Sequence, residues 1–184
     1  MASAFSHAIV GLGIGACVLP ARTPRSVWVT GALCSIVPDL DVIGFRFGIH
    51  YGDLLGHRGL THSIAFAVLL SLLVVALVFP RGAGPLSTSA LRVYLFLAIA
   101  SHGVLDAFTD GGLGVAFFAP FENGRYFFPW RPVRVSPIGI GPFFSAHGLA
   151  ILGSEIRWIW LPTSVLVLIV FSLRRMRAND PADR

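Results

Sequence analysis

The chain has 184 residues, enough for one domain, and pairs 55% hydrophobic content with only 12% charged residues; with a mean hydropathy of +0.77 it falls in the membrane class before any motif is considered. Its net charge of +5 rests on arginine alone, scattered singly or in short groups with no basic stripe interleaved with aromatics, which argues against nucleic acid as a partner. The two cysteines, Cys17 and Cys34, each lie in an apolar run, where they read as small packing residues and not as a disulfide framework or a Cys-rich zinc site.

In chain order, residues 1–7 carry no Lys or Arg, and no convincing small-residue cleavage site precedes Pro20, so the N-terminus is expected to stay in the mature protein. Residues 4–19 and 26–37 read as a helical hairpin around the turn PARTPR at 20–25. The Gly11, Gly13, Gly15 run in the first of these lacks a preceding strand and reads as close helix packing instead of a dinucleotide fingerprint. Residues 63–79 and 158–173 are long apolar spans, and residues 91–108 form a span with a polar end at His102 and Asp106. The expected fold is therefore an all-α, polytopic membrane helical bundle of about five transmembrane helices, a single domain over 1–184. Residues 110–155 are expected to form an interfacial loop and 174–184 a tail.

Arginines in short loops prefer the cytoplasmic side. Arg174, Arg175 and Arg177 thus place the tail inside, and counting back through five helices puts Arg81 and Arg92, then Arg22 and Arg25, on the same side. The same count gathers His7, Asp39, Asp41, His57, His62, His102 and Asp106 at the opposite, outer face. His102 and Asp106 share one helical face, four residues apart. Neutral imidazoles and carboxylates without thiolate suit Zn²⁺, the first choice, and also Mn²⁺ or Fe. Seven ligands exceed the needs of one tetrahedral ion, so one to three ions are expected, with carboxylates such as Asp39 and Asp41 able to bridge.

Each element has a plainer reading. Asp39 and Asp41 after Pro38 also fit a helix-end turn, Thr61 or Ser63 fits an N-cap, and His62 alone fits an interfacial residue. His102 with Asp106 resists such a reading, because ionisable groups within a span are costly and usually functional. His50 and His147 lie in loops without acidic neighbours at helical spacing and are read as non-ligands.

Ser6-His7, Pro38-Asp39-Leu40-Asp41, the segment HRGLTHS from His57 to Ser63, and His102 through Asp106 to the TDGG at 109–112 resemble, in order and spacing, the YdjM-like family of bacterial inner-membrane metal-dependent hydrolases. The likeness runs through the aromatic segment LGVAFFAPFENGRYFFPWRPVRVSPIGIGPFF and SEIRWIWLP to cover nearly the whole chain. It implies a multi-pass protein of the inner membrane and a zinc-type site distantly similar to zinc-dependent phospholipase C and the fungal single-strand nucleases, an analogy of fold and site.

The expected function is a membrane-bound metal-dependent hydrolase acting on phosphoester or lipid-type substrates through metal-activated water, with the site on the periplasmic face and membrane lipids as partners. Arg58 and Arg125 are the expected stabilisers of the anionic transition state. Arg125, Arg131 or Arg134 is expected to bind a phosphate at headgroup depth, and Glu155 and Arg157 to pair with each other or to support the metal ligands. The alternative is a non-catalytic membrane protein with a structural or transported metal. Intramembrane proteolysis is disfavoured because no HExxH occurs.

Overall fold

The structure, a computed structural model, describes residues 1–138 and 146–179, with backbone alone at 146 and 147. Six α-helices lie among the described residues: α1 (Ala4–Val18), α2 (Arg25–Cys34), α3 (Ile64–Val78), α4 (Thr88–Ala107), α5 (Ala146–Glu155) and α6 (Leu161–Ala178). Three of the helices start on a serine whose hydroxyl accepts an N–H of the first turn: Ser3 from Ser6, Ser63 from Phe66, and Ser87 from Ala90. Val37–Phe47 is a 3₁₀ segment, where Pro38 cannot supply the amide that would continue α2 as a regular helix.

α4 is the central element and packs against α1, α2 and α3. Its buried positions, Leu91, Tyr94, Leu95, Ala98, Ile99, His102, Gly103, Asp106 and Ala107, follow helical spacing, so the stripe that builds the apolar core delivers His102 and Asp106 to one end of it. Small residues let α1 approach its neighbours. A side chain at Gly11 would meet Ser35 Oγ at 2.9 Å, one at Gly15 would meet Trp28 at 2.9 Å, and one at Gly13 would collide with Thr163 of α6.

Two helical runs are long and apolar enough to cross a bilayer, Thr88–Ala107 and the 31-residue Gly148–Ala178, and a third span results if α2 and Val37–Phe47, bent by 40°, count as one. The remaining expected spans, 4–19 and 63–79, form α1 and α3, each 15 residues. At 1.5 Å per residue that is about 22 Å, short of the roughly 30 Å hydrocarbon core.

The loop expected over 110–155 differs in its last part. Ala146–Glu155 is helical and runs through a π-helical turn, Ile156–Trp160, into α6. No proline falls between Pro142 and Pro162 to interrupt it, and Glu155 finds partners inside the bundle. His147, read from sequence as a loop non-ligand, has no described side chain.

The arginine-bearing turns meet at one end of the bundle. Arg174 donates to the carbonyls of Ala16, Cys17 and Leu19 at the end of α1, and the turn at Gly84 lies against Pro24. The histidines and aspartates collect at the opposite end.

Candidate metal centre

Four stretches of chain bring their polar side chains to a common point. α1 contributes His7 from its first turn, the 3₁₀ segment Asp39 and Asp41, the turn before α3 His57 and His62, and α4 His102 and Asp106. All seven are withdrawn from solvent: His7, His102 and Asp106 are fully buried, His57 is 1% exposed, and the Asp41 side chain is 2% exposed. Such a concentration of ionisable groups is tolerated in an apolar bundle only when they satisfy one another or a cation.

Hydrogen bonds leave the inner atoms incompletely satisfied. Both ring nitrogens of His7, both carboxylate oxygens of Asp39 and Nε2 of His57 are buried without a hydrogen-bond partner, and Oδ2 of Asp106 has the ion-pair contact of Arg58 Nε at 3.1 Å. His7 stacks face to face on His102, ring centroids 3.6 Å apart. Its Nε2 lies 3.5 Å from Asp106 Oδ1 and 3.9 Å from Asp39 Oδ2. Asp39 Oδ1 lies 3.2 Å from His102 Nε2 and 3.7 Å from His62 Nε2. The donor set is nitrogen and carboxylate oxygen at approach distances a divalent cation would draw in, and two groups of four, His7–Asp39–His102–Asp106 and Asp39–His57–His62–Asp106, could each hold an ion.

Around this inner set a second ring of contacts orients the ligands. His102 Nδ1 sits 2.7 Å from the carbonyl of Ser35; a carbonyl only accepts, so Nδ1 carries the proton and Nε2 presents its lone pair to the centre. His57 Nδ1 lies 2.7 Å from Asp41 Oδ1, and Thr61 donates its hydroxyl to Asp41 Oδ2 at 2.7 Å. This is the carboxylate–histidine pairing that fixes the tautomer of a metal ligand. Asp106 accepts the Ala2 amide at 2.7 Å and lies 3.1 Å from Arg58 Nε.

Burial pulls the His57 imidazole below its ordinary pKa despite the opposing effect of the hydrogen bond it donates to Asp41. At His62 burial acts the same way, but the neighbouring carboxylates of Asp106, Asp39 and Asp41 outweigh it and raise the imidazole to about 10. The convergence of carboxylates thus demands positive charge at the centre.

The two expected transition-state arginines are engaged elsewhere. Arg58 is fully buried, takes φ 64°, and donates to the Gly111 and Leu113 carbonyls and to the Thr109 hydroxyl. It touches the centre only through Asp106. Arg125 donates to the carbonyls of His57, Gly114, Tyr51 and Asp53, pinning the loop that carries His57. Both guanidiniums position the site. Arg131 lies over the Phe127 ring at 4.7 Å, while Arg134 is exposed. Glu155 does not pair with Arg157, which stacks on Trp158. It accepts the Ser3 amide and the Ser3 and Ser6 hydroxyls at 2.5, 2.5 and 2.9 Å. His50 is exposed, apart from the cluster, and faces Asp53 at the surface, an acidic neighbour three residues on that the sequence reading passed over.

Thr61 and Thr109 enter the sequence reading only within HRGLTHS and TDGG and, for Thr61, as a candidate helix cap; their roles beside Asp41 and Arg58, and that of the Ser35 carbonyl, left no signal there.

A helical bundle with a buried histidine–aspartate centre at one end is the class these observations define, and the comparisons give it a family. The model of the YdjM inner membrane protein family matches residues 1–179, and the chain belongs to that family. It is 36% identical over 181 residues to the inner membrane protein YbcI of Escherichia coli (strain K12), covering 95% of this chain and all of that protein. No solved structure matches it.

Proposed function

We propose that this chain is a multi-pass inner-membrane hydrolase whose buried histidine–aspartate centre takes divalent metal, zinc first, and acts on phosphoester or lipid-type substrates. The observation that carries the reading is the set of buried atoms without a hydrogen-bond partner on His7, Asp39 and His57, gathered with Asp106 into two groups in which the ligand atoms lie within 4.8 Å of one another. Apolar packing gives no reason to keep such atoms together, whereas a cation does. When bound, a divalent metal supplies Lewis-acid polarisation of an ester and an acidified water. The chain's own part is to present lone pairs, and it does so through the fixed tautomer of His102 and the Asp41–His57 pairing. Arg58 and Arg125 hold Asp106 and the His57 loop in place.

Five spans with the site at the outer face remain the topology that the arginine placement supports, the short α1 and α3 crossing with their caps and flanking turns. Exposed Phe118, Phe121 and Trp130 on the segment after α4, together with Arg131 and Arg134, suit contact with lipid headgroups and anionic substrate.

A second reading, a structural metal that ties the helices together, is favoured by one feature: even Asp39, the most accessible ligand side chain, is only 8% exposed. The two are separated by measuring phosphodiester and phospholipid hydrolysis alongside thermal unfolding in detergent for the parent, Asp39→Asn, Asp41→Asn and His62→Ala. The hydrolase reading expects activity to collapse with much of the stability kept. No hydrolysis by metal-loaded parent, with large stability losses in every variant, overturns it in favour of the structural metal.

A further inference from the structure

Building on the reading of the cluster as a metal centre, we propose that it holds two divalent ions, bridged by the carboxylates of Asp39 and Asp106. The donors divide into two foursomes that share those two residues, and within each foursome the ligand atoms lie within 4.8 Å of one another. One four-coordinate ion would use a single foursome and leave a pair of inward-facing imidazoles, either His7 with His102 or His57 with His62, buried without the cation.

The carboxylate geometry supports the division. Asp106 turns Oδ1 to His7 Nε2 at 3.5 Å and Oδ2 to His62 Nε2 at 3.6 Å, so its two oxygens face different foursomes. Asp39 reaches both foursomes through one oxygen: Oδ1 lies between His102 and His62 at 3.2 and 3.7 Å, while Oδ2 faces His7 at 3.9 Å. Asp41, the other bridging candidate from sequence, spends one oxygen on His57 Nδ1 and the other on the Thr61 hydroxyl, so Asp39 and Asp106 are the carboxylates common to both foursomes. Between the foursomes the Nε2 atoms of His62 and His102 face each other at 3.1 Å, and that of His102 is a lone pair. An ion on each side gives both nitrogens a cation.

Charge points the same way. Two divalent ions with Arg58 outweigh the three carboxylates Asp39, Asp41 and Asp106, leaving the centre positive and able to attract an anionic substrate such as a phosphoester.

The test uses full-length protein in detergent, stripped with chelator and reloaded with Zn²⁺ for elemental analysis or with Mn²⁺ for electron paramagnetic resonance. The parent should retain two ions per chain and give an exchange-coupled Mn²⁺ spectrum. His7→Gln and His57→Gln, on opposite foursomes, should each retain one ion and lose the coupling. One ion per chain at saturation, or two uncoupled ions, overturns the bridged pair and leaves a metal centre standing. A parent that retains no ion sinks both readings, and since the parent alone decides, a variant that fails to fold does not remove the test.

Discussion

Replacing Glu155 by alanine probes how the bundle holds its ligands from a distance. The carboxylate is fully buried and accepts the Ser3 amide and the hydroxyls of Ser3 and Ser6, while Trp160 Nε1 donates to Ser6 Oγ at 2.8 Å. Hydrogen bonds to charged groups are worth about 1.5–3 kcal/mol each in water-soluble proteins, but interhelical bonds in membranes average about 0.6 and reach about 1.7, because the unfolded helices also find partners. Three such bonds therefore place the loss between about 2 and 5 kcal/mol. Ser3 caps α1 one turn before His7, so the freed cap should let His7 drift, and losing a contact that supports a ligand typically costs about 10–100-fold in metal affinity. Thermal unfolding in detergent reads the first effect and competition against a chelator the second. Glu155→Gln, which keeps the volume and one carbonyl acceptor, should fall between parent and alanine in both. A loss under about 0.5 kcal/mol, the range of an ordinary surface substitution, with unchanged affinity would refute the reasoning.

Thr61→Val should lower metal affinity by about 10–100-fold with little change in helix content, since only the hydroxyl on Asp41 and its 3.0 Å contact with His62 Nδ1 are lost; chelator competition and circular dichroism check it. Gly31→Ala drives a Cβ into the buried Tyr94 ring and should cost about 1–3 kcal/mol as overpacking. An unchanged unfolding midpoint for that variant would show that α2 and α4 are not held at this contact.

The convergence of the seven ligands was readable from the chain because helix ends and arginine-rich turns alternate, and the structure does collect the ligands at one end and Arg174 with the 20–25 turn at the other. What each ligand does was not readable. Asp39 and Asp41 are two residues apart and chemically alike, yet one faces the centre unpartnered and the other is committed to His57 and Thr61. The contacts of Arg58 were not readable either, because Thr109, Gly111 and Leu113 lie some 50 residues away in sequence. For Glu155 the sequence left two readings open, a pair with Arg157 or support of the ligands, and it could not show that its partners are Ser3 and Ser6 at the other end of the chain. The helices stop one residue short of the expected spans, at Val18 and Val78, where the apolar sequence continues into Leu19 and Phe79.

The run formed by α5, the π-helical turn and α6 grips α1 twice, through Glu155 on Ser3 and Ser6 and through Arg174 on Ala16, Cys17 and Leu19. One grip holds amide and hydroxyl donors, the other carbonyl acceptors, so α1 cannot slide along its axis by even one residue without releasing both. The height at which His7 meets His102 is thereby gauged against a second helix, as a rod is set between two fixed stops. A change near Arg174, at the far end of the bundle from every ligand, would then register as a misalignment of the imidazole pair.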